Sequence, residues 1–264
     1  MQQISYCAKI VYIMEDLENK YAYKTERQVT SAYIDASTKM GVSQAVSMIQ
    51  DSVTEEFGFI GFDGIVCRSK YGTLWAFTKT RVRFAKRPLW REKFDSVSYP
   101  VKAGGMRTYL NTVFTAKDGS LLLTANQETC LMNIETRRPV PVSSIGYPTE
   151  GFPPPAIEEP FEKFDADFSE QDKVYSQTVH SQHIDMSHHT NNIEYIKFAL
   201  NVFPEAYLLE HEPVLLEAHY TGETHEDDLL DIYRKDKDGC SYIKITEVSD
   251  RRSVFEMKIQ FEKK

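Results

Sequence analysis

Two segments of the chain carry apolar residues at helical spacing. Residues 40–57 place Val42, Ala45, Val46, Ile49, Val53 and Phe57 on one face, and residues 191–203 do the same with Ile193, Ile196, Ala199, Leu200 and Phe203. Gly58 is expected to end the first helix and Pro204 the second, since neither residue favours a helix interior. The pattern therefore predicts two helices, one in each half of the chain.

Strand-like segments surround each predicted helix in the same order. Residues 4–14 and 20–34 precede the first helix, and residues 73–84, 94–101, 107–116 and 121–134 follow it, with a hairpin turn at Lys117-Asp118-Gly119. Residues 173–184 precede the second helix, and residues 214–220, 229–234, 242–248 and 254–261 follow it, with a turn at Asp238-Gly239. A sheet of this kind must bury one face against the only helix available, so it curls around that helix. This predicts an α+β protein of two tandem hotdog domains, each a long helix wrapped by a curved antiparallel sheet.

The two halves also share the loop before the helix. Laid over each other at an offset of 150 without a gap, residues 29–40 and 179–190 agree at Val29/Val179, Ser31/Ser181, Ile34/Ile184, Asp35/Asp185 and Ser37/Ser187. Such a match is typical of an internal duplication. The first copy reads Thr38-Lys39 where the second reads His188-His189. Only the second copy therefore carries side chains that titrate near neutrality.

Proline marks the expected boundary between the halves. Seven of the eleven prolines fall between Pro139 and Pro160, which predicts an extended segment with polyproline II character. We expect an N-terminal hotdog domain at residues 1–145, a proline-rich linker at residues 146–168 and a C-terminal hotdog domain at residues 169–264.

Charge is unevenly distributed along the chain. The net charge is −8, yet eleven lysines and arginines against two carboxylates give the segment from Ile65 to Leu110 a charge of +9. Overall acidity argues against nucleic acid as a partner, whereas the basic segment suits an acidic protein. A solvated strand edge that resists aggregation is the alternative interpretation of this segment.

Cysteine usage and hydropathy point to the same compartment. Cys7, Cys67, Cys130 and Cys240 show no paired spacing, so free thiols are expected. No segment reaches the roughly 18 apolar residues that a membrane span needs, and residues 1–17 lack the apolar run of a signal peptide. A cytoplasmic protein with no membrane partner is expected, and the oligomeric state stays open, a homodimer included.

The duplicated loop carries a family resemblance. Residues 185–195, Asp-Met-Ser-His-His-Thr-Asn-Asn-Ile-Glu-Tyr, resemble the Asp-x-Asn-x-His-Val-Asn-Asn-x-x-Tyr signature of the acyl-acyl-carrier-protein thioesterases. The chain resembles the bacterial members of this family, which are similar to the plant-type fatty acyl-ACP thioesterases. In the first half, Trp-Ala-Phe-Thr-Lys-Thr-Arg-Val at residues 75–82 and Asn-Ile-Glu-Thr-Arg-Arg-Pro at residues 133–139 resemble that family's N-terminal repeat. The likeness covers nearly the whole chain.

The resemblance implies which residues carry the chemistry. It assigns catalytic roles to Asp185, Ser187, His189 and Glu223, and substrate binding to Asn191 and Asn192. It further implies hydrolysis of an acyl-carrier-protein thioester to free fatty acid, an acyl pocket in the N-terminal domain, acyl carrier protein as partner, and neither cofactor nor metal. Ser187 stands where the signature has Asn, and Thr224 stands where the family has a Cys beside the glutamate. The second departure argues against a cysteine nucleophile.

Thioester hydrolysis needs an activated water and a stabilised carbonyl oxygen. Either Glu223 or His189 fits the base, Asp185 fits the role of holding the imidazole, and free backbone N–H groups between Thr190 and Asn192 fit the oxyanion. Structural roles compete with these assignments, because Asp185 and Ser187 are also good turn-capping residues.

Other functions remain open from the sequence. Four of the seven histidines lie in residues 180–189, but His180 and His183 would point to opposite faces of the predicted strand, which argues against a metal site. An acyl-CoA thioesterase, a hotdog hydratase or dehydratase, and a non-catalytic acyl-binding module are the alternative functions.

Overall fold

The computed structural model describes residues 20–264, and the strand predicted at residues 4–14 lies outside the described residues. The protein divides into two compact units. The first comprises residues up to Thr78 together with Val82–Pro160, and the second comprises Lys79–Arg81 and Phe161–Lys264.

The first unit is a five-stranded sheet with one long helix. Its elements are β1 (Tyr23–Gln28), α1 (Val42–Phe59), α2 (Gly64–Val66), β2 (Thr73–Phe84), β3 (Lys93–Gly104), β4 (Arg107–Ala116) and β5 (Leu121–Asn133). The strand order is β1-β3-β4-β5-β2, with antiparallel pairing from β1 to β5. The sequence did not predict α2 or the π-helical turn Cys67–Tyr71 that follows it.

Helix α1 buries the apolar face that its periodicity predicts. All six predicted positions, from Val42 to Phe57, are at most 8% exposed. Gly58 does not end the helix, which continues to Phe59. The same buried face also includes Ser52 and Glu56, so the core side of α1 is less apolar than the sequence pattern suggests.

The second unit repeats the arrangement. Its elements are β6 (Lys173–Thr178), α3 (Asn192–Leu200), α4 (Glu205–Glu210), β7 (His211–Tyr220), β8 (Leu229–Lys237), β9 (Cys240–Glu247) and β10 (Ser253–Lys263). The strand order is β7-β10-β9-β8-β6, antiparallel throughout. Helix α3 packs its buried residues, Tyr195, Ile196, Phe198 and Ala199, toward β9 and β10. Both units are hotdog folds, as predicted.

The proline-rich segment lies against the folded protein. In the first unit, Tyr147 joins the core cluster that includes Phe57, and the Ala156 amide donates to Asn111 Oδ1 at 2.7 Å. In the second unit, the Phe164 ring stacks on His219 with the ring centroids 4.2 Å apart. Residues on both sides of Pro160 are therefore anchored.

None of the helices in residues 20–264 combines the length and the apolar character that crossing a membrane requires.

Candidate active site

The loop before each helix has the same backbone hydrogen bonds in both units. In the second unit, Asp185 N donates to His189 O at 3.1 Å and His188 N donates to Asp185 O at 3.0 Å. At the offset of 150, Asp35 N donates to Lys39 O at 2.9 Å and Thr38 N donates to Asp35 O at 3.0 Å. His188 and Thr38 have nearly equal positive φ angles of 64° and 60°. The duplication seen in the sequence thus extends to the geometry of the loop.

Each loop forms a backbone hydrogen bond with the segment that follows the first strand after the helix, which is β7 in the second unit and β2 in the first. Thr190 N donates to Thr224 O at 2.8 Å, and Met40 N donates to Pro88 O at 2.9 Å. These bonds make Thr224 the counterpart of Pro88. The residues before them, Glu223 and Arg87, are therefore counterparts as well. The ungapped sequence alignment does not show this equivalence, because it ends at residues 40 and 190.

His189 and Glu223 come together in the second unit. His189 Nε2 lies 3.5 Å from Glu223 Oε1, and their side chains are 18% and 42% exposed. The Glu223 carbonyl accepts a hydrogen bond of 2.7 Å from Arg252 Nη2, which fixes the backbone below the carboxylate. A base and a second titratable group thus meet at a partly open surface, as general acid–base chemistry requires.

The first unit places cations at both equivalent positions. Arg87 is 4% exposed, forms an ion pair with Asp35, and donates to Ser37 Oγ at 3.2 Å and Met40 O at 3.1 Å. Lys39 stands at the histidine position. Lysine and arginine are cationic side chains and poor general bases, so neither of the two equivalent positions in this copy offers one.

Asp185 occupies a turn rather than a position against the imidazole. Its Oδ1 accepts the Ser187 N–H at 2.8 Å, as Asp35 Oδ1 accepts the Ser37 N–H at 2.8 Å. Among the described residues, the Asp185 carboxylate makes no hydrogen bond to His189. The sequence-based role of holding the imidazole is therefore absent from this geometry, and what Asp185 does in this conformation is shape the loop that presents His189.

Most backbone N–H groups at the start of α3 are already used. The Thr190 amide bonds to Thr224 O, the Asn191 amide bonds to His183 O at 2.8 Å, and Asn191 Oδ1 caps the Ile193 amide at 2.8 Å. Within residues 20–264 the Asn192 N–H has no hydrogen-bond acceptor. Of the amides that the sequence suggested for an oxyanion, only this one remains available, at the positive end of the helix.

A group of buried hydroxyls lies under the His189–Glu223 pair. Thr224 Oγ1 lies 2.7 Å from Thr190 Oγ1 and 2.8 Å from Tyr195 OH. All three residues are at most 2% exposed, and burial raises the pKa of Tyr195. Sequence reasoning noted Thr224 as a departure from the family but gave no role to the side-chain hydroxyls of Thr190 and Tyr195.

The nearby histidines do not converge on a metal site. His180 and His183 lie in a 3₁₀ turn rather than in the predicted strand, and the His180 amide donates to His183 Nδ1 at 2.9 Å. The strand argument used against a metal was therefore wrong. Across residues 20–264, no group of three or more His, Cys, Asp or Glu side chains could hold a metal ion.

Tertiary contacts neutralise much of the basic segment. Five of its eleven cations form ion pairs with carboxylates: Arg81, Arg83, Arg87, Lys93 and Arg107. Arg81 and Arg87 are also buried, so neither contributes to an exposed patch. Lys86 and Arg91 remain exposed without an ion pair in the described part of the chain, and they flank Leu89 and Trp90, which are 48% and 51% exposed.

Comparison with known proteins identifies similar sequences over both units. The profile of the acyl-ACP thioesterase N-terminal domain matches residues 20–144, and that of the acyl-ACP thioesterase C-terminal domain matches residues 167–263. An oleoyl-acyl carrier protein thioesterase 2, chloroplastic, of Arabidopsis thaliana is 21% identical over an alignment of 232 residues that covers 81% of this chain. The chain spans 63% of the length of that protein.

Solved structures share the fold along almost their full length. An acyl-ACP thioesterase from Bacteroides thetaiotaomicron is 18% identical with a TM-score of 0.80, covering 92% of this chain and 98% of that one. The 12:0-ACP thioesterase from Umbellularia californica is 15% identical with a TM-score of 0.79 and the same two coverages, 92% and 98%. These likenesses support the tandem hotdog architecture described above.

Proposed function

The chain belongs to the acyl-ACP thioesterase family, and on that premise we propose that it hydrolyses the thioester of acyl-acyl-carrier protein to a free fatty acid and the carrier protein. The observation that carries the proposal is the His189–Glu223 pair, with 3.5 Å between Nε2 and Oε1. The same loop in the first unit holds Lys39 and Arg87 instead, so acid–base chemistry belongs to the second unit alone.

The reaction proceeds by attack of water on the thioester carbonyl. Glu223, the more exposed member of the pair, takes a proton from the attacking water as the C–O bond forms. The carbonyl oxygen gains charge and is stabilised by the Asn192 N–H at the start of α3. The C–S bond then breaks, and His189 delivers a proton to the departing thiolate. A pair of groups is useful because one proton must be accepted and another delivered.

Residues around the pair prepare the loop for this chemistry. Asp185 and Ser187 hold the turn that presents His189, and Asn191 caps α3 through the Ile193 amide, which leaves the Asn192 amide available. The Thr224 side chain is fully buried and its hydroxyl is bonded to Thr190 and Tyr195, so it is not a nucleophile. Water is therefore the nucleophile in this proposal.

Acyl carrier protein is the partner that the exposed charges favour. Carrier proteins of this class are acidic, and the phosphopantetheine arm adds a further negative charge. Lys86 and Arg91, with Leu89 and Trp90 between them, form what we term the docking patch, which offers cations around an apolar centre. Such complementarity raises the association rate and selects the partner. The patch lies in the first unit, which also provides the acyl pocket in this proposal.

The proposed substrate, an acyl-carrier-protein thioester, implies a role in fatty acid metabolism, and the free cysteines support a cytoplasmic location. Cys67, Cys130 and Cys240 are all free, as in a reducing compartment. Burial raises the pKa of Cys67 to about 11, so this thiol is unreactive at neutral pH.

One experiment tests the proposal against the alternatives. The protein is incubated with matched panels of acyl-ACP and acyl-CoA thioesters, and free thiol and free fatty acid are followed together. Equal release of both products, faster from acyl-ACP, is expected. Preference for acyl-CoA identifies the CoA thioesterase, a change in the acyl chain with the thioester intact identifies a hydratase or dehydratase, and binding without turnover identifies an acyl-binding module.

A further inference from the structure

A buried chain of three hydroxyl groups connects the two loops that carry His189 and Glu223. We propose that Thr190, Thr224 and Tyr195 form a positioning clamp, which holds the two titratable side chains at their working separation. The inference deepens the proposed function and rests on it for its catalytic consequence. In this proposal the three hydroxyls position the catalytic pair and do not touch the substrate.

The direction of the hydrogen bonds follows from the available protons. Thr190 Oγ1 donates to the Thr224 carbonyl at 3.2 Å, because a carbonyl only accepts. Its single proton is then used, so Thr224 Oγ1 donates to Thr190 Oγ1 across 2.7 Å. Tyr195 OH in turn donates to Thr224 Oγ1 across 2.8 Å. Every donor in the chain has one acceptor, and the chain ends on the backbone of Thr224.

The clamp acts on the residues next to the catalytic pair. Thr190 directly follows His189, and Thr224 directly follows Glu223. Tyr195 fixes the other end, since it lies on α3 and its ring stacks on Phe255 of β10 with the ring centroids 5.7 Å apart. The three bonds therefore tie the His189 loop, the Glu223 loop and the helix to one another.

The first unit shows that the fold does not need these hydroxyls. The counterparts of Thr190, Tyr195 and Thr224 are Met40, Ala45 and Pro88, all buried and none with a hydroxyl. The backbone bond between the loops is kept nonetheless, at 2.9 Å in the first unit and 2.8 Å in the second. The hydroxyl chain thus occurs in the unit that has the acid–base pair and is absent from the unit that lacks it.

Physical reasons favour hydroxyls over apolar packing in such a place. Apolar contacts are non-directional, whereas a hydrogen bond weakens steeply when its distance or angle changes. A buried hydroxyl that loses its partner also costs about 1–3 kcal/mol. Displacement of either loop is therefore opposed, and a displacement of about 1 Å can cost a factor of 10² in rate.

Variants that remove single hydroxyls test the clamp. Thr224→Val and Tyr195→Phe keep the side-chain shape, and we expect kcat to fall roughly 10- to 100-fold with KM little changed. Thr224→Ser keeps the hydroxyl and should restore most of the rate. Tyr175→Phe is the matched control, since it removes another phenol of the second unit, which is half-buried and donates to Phe198 O at 2.6 Å far along α3. It should lower the melting temperature as Tyr195→Phe does while kcat stays at the wild-type value.

A second readout does not depend on activity. The exchange rate of the Thr190 amide with solvent is measured by NMR in the whole protein, with the Met40 amide as an internal reference. We expect Thr190 to exchange at least about tenfold faster in Thr224→Val than in the wild type, which corresponds to about 1.4 kcal/mol, while Met40 is unchanged. The two amides make equivalent bonds, so a loss of stability of the whole protein would accelerate both. A loss confined to the second unit would also accelerate the Asn191 amide, which donates to His183 O at 2.8 Å and serves as the reference within that unit.

The outcomes separate this inference from the proposed function. A wild-type protein that hydrolyses no thioester overturns the proposed function, and the amide exchange still decides whether the clamp exists. An active wild type with unchanged Thr190 exchange, or with equal kcat losses in Tyr195→Phe and Tyr175→Phe, overturns the clamp and leaves the function intact. Loss of rate in Thr224→Ser equal to that in Thr224→Val also counts against it.

Discussion

His189 and Lys39 occupy one position in two copies of a single loop. The backbone around them is the same, and both side chains are partly buried. What differs is the kind of side chain, because an imidazole serves as a general acid or base, whereas a lysine ammonium group offers only donors. The two positions therefore allow a catalytic substitution and its control to be made in one chain.

The first prediction concerns this pair of positions. His189→Ala should abolish most thioester hydrolysis while the fold persists, since a group that delivers a proton is lost from an otherwise intact loop. Lys39→Ala, at the equivalent position, should leave turnover near the wild-type value. Steady-state rates on acyl-ACP and circular dichroism of both variants provide the measurement. Near-wild-type turnover in a folded His189→Ala protein would contradict the assignment.

Glu223 supports a second prediction at the residue scale. Glu223→Gln keeps the size of the side chain and removes the base, so kcat should fall by roughly 10² to 10⁴. Glu226→Gln, an exposed neighbour in the same acidic segment, is the control and should cost little. Thr224→Ala should be less damaging than Glu223→Gln, because it disturbs position rather than chemistry. An acyl-enzyme trapped on Thr224 would show the mechanism to be wrong.

At the scale of elements, helix α1 carries a buried carboxyl group. Glu56 is fully buried, and neither of its oxygens has a hydrogen-bond partner among the described residues. Burial raises the pKa of Glu56 well above its ordinary value. The side chain is therefore held in its neutral form over a wide range of pH, which costs stability wherever the unfolded chain would release the proton.

The third prediction follows from the sign of that shift. The folded state keeps the Glu56 proton at a pH where the unfolded state loses it, so this group's contribution to stability is greatest below the ordinary glutamate pKa. It falls as the pH rises from there toward the folded-state pKa. Glu56→Gln removes this dependence. The free energy of unfolding of the variant, relative to that of the wild type, should therefore increase as the pH rises above about 4.5.

Chemical denaturation across a series of pH values measures the effect. Glu205→Gln, at an exposed position of α4, is the control and should show no such trend relative to the wild type. A constant difference between wild type and Glu56→Gln over the whole range would mean that Glu56 ionises inside the folded protein.

At the scale of the whole molecule, ion pairs decide which charges reach the surface. The sequence segment with a charge of +9 predicts a broad basic face, yet Arg81 is paired with the buried Glu217 and Arg87 with Asp35. Of the exposed cations without an ion pair among the described residues, Lys86 and Arg91 are the two that flank exposed apolar side chains in the docking patch. A charge-reversal test must therefore leave Arg87 in place, because its loss would strand Asp35 and loosen the loop.

The last prediction tests the docking patch. Lys86→Glu combined with Arg91→Glu should raise KM for acyl-ACP severalfold and leave KM for a small acyl thioester nearly unchanged. The effect should shrink as salt is added, since exposed charges are screened beyond about 10 Å at 0.1 M ionic strength. Arg68→Glu combined with Lys70→Glu makes the same change in net charge at exposed positions of the first unit and is the control. Equal effects of both double variants would indicate long-range charge rather than a specific surface.

Sequence alone determined the elements and their repetition. Hydrophobic periodicity fixes which face of a helix is buried, and so the predicted face of α1 and the bounds of β2 and β4 agree closely with the structure. The prediction for α3 was partly wrong, because the helix ends at Leu200 instead of continuing to Pro204, and it buries Tyr195 and Phe198 beside the predicted Ile196 and Ala199. Glycine turns such as Asp238-Gly239 could be located because both residues adopt positive φ, which few residues tolerate. These features depend on local conformational preferences, which are set by residues that are close together in the sequence.

Only the tertiary structure decided which distant side chains meet. Hydrogen bonds between loops identify Arg87 as the counterpart of Glu223. The chain between the duplicated loop and this residue differs in length in the two halves, so an alignment at a fixed offset does not pair the two residues. Long-range contacts also neutralised much of the basic segment and joined the hydroxyls of Thr190 and Tyr195 to that of Thr224. Such pairings depend on burial and on distances across the fold, and these exist only once the chain is packed.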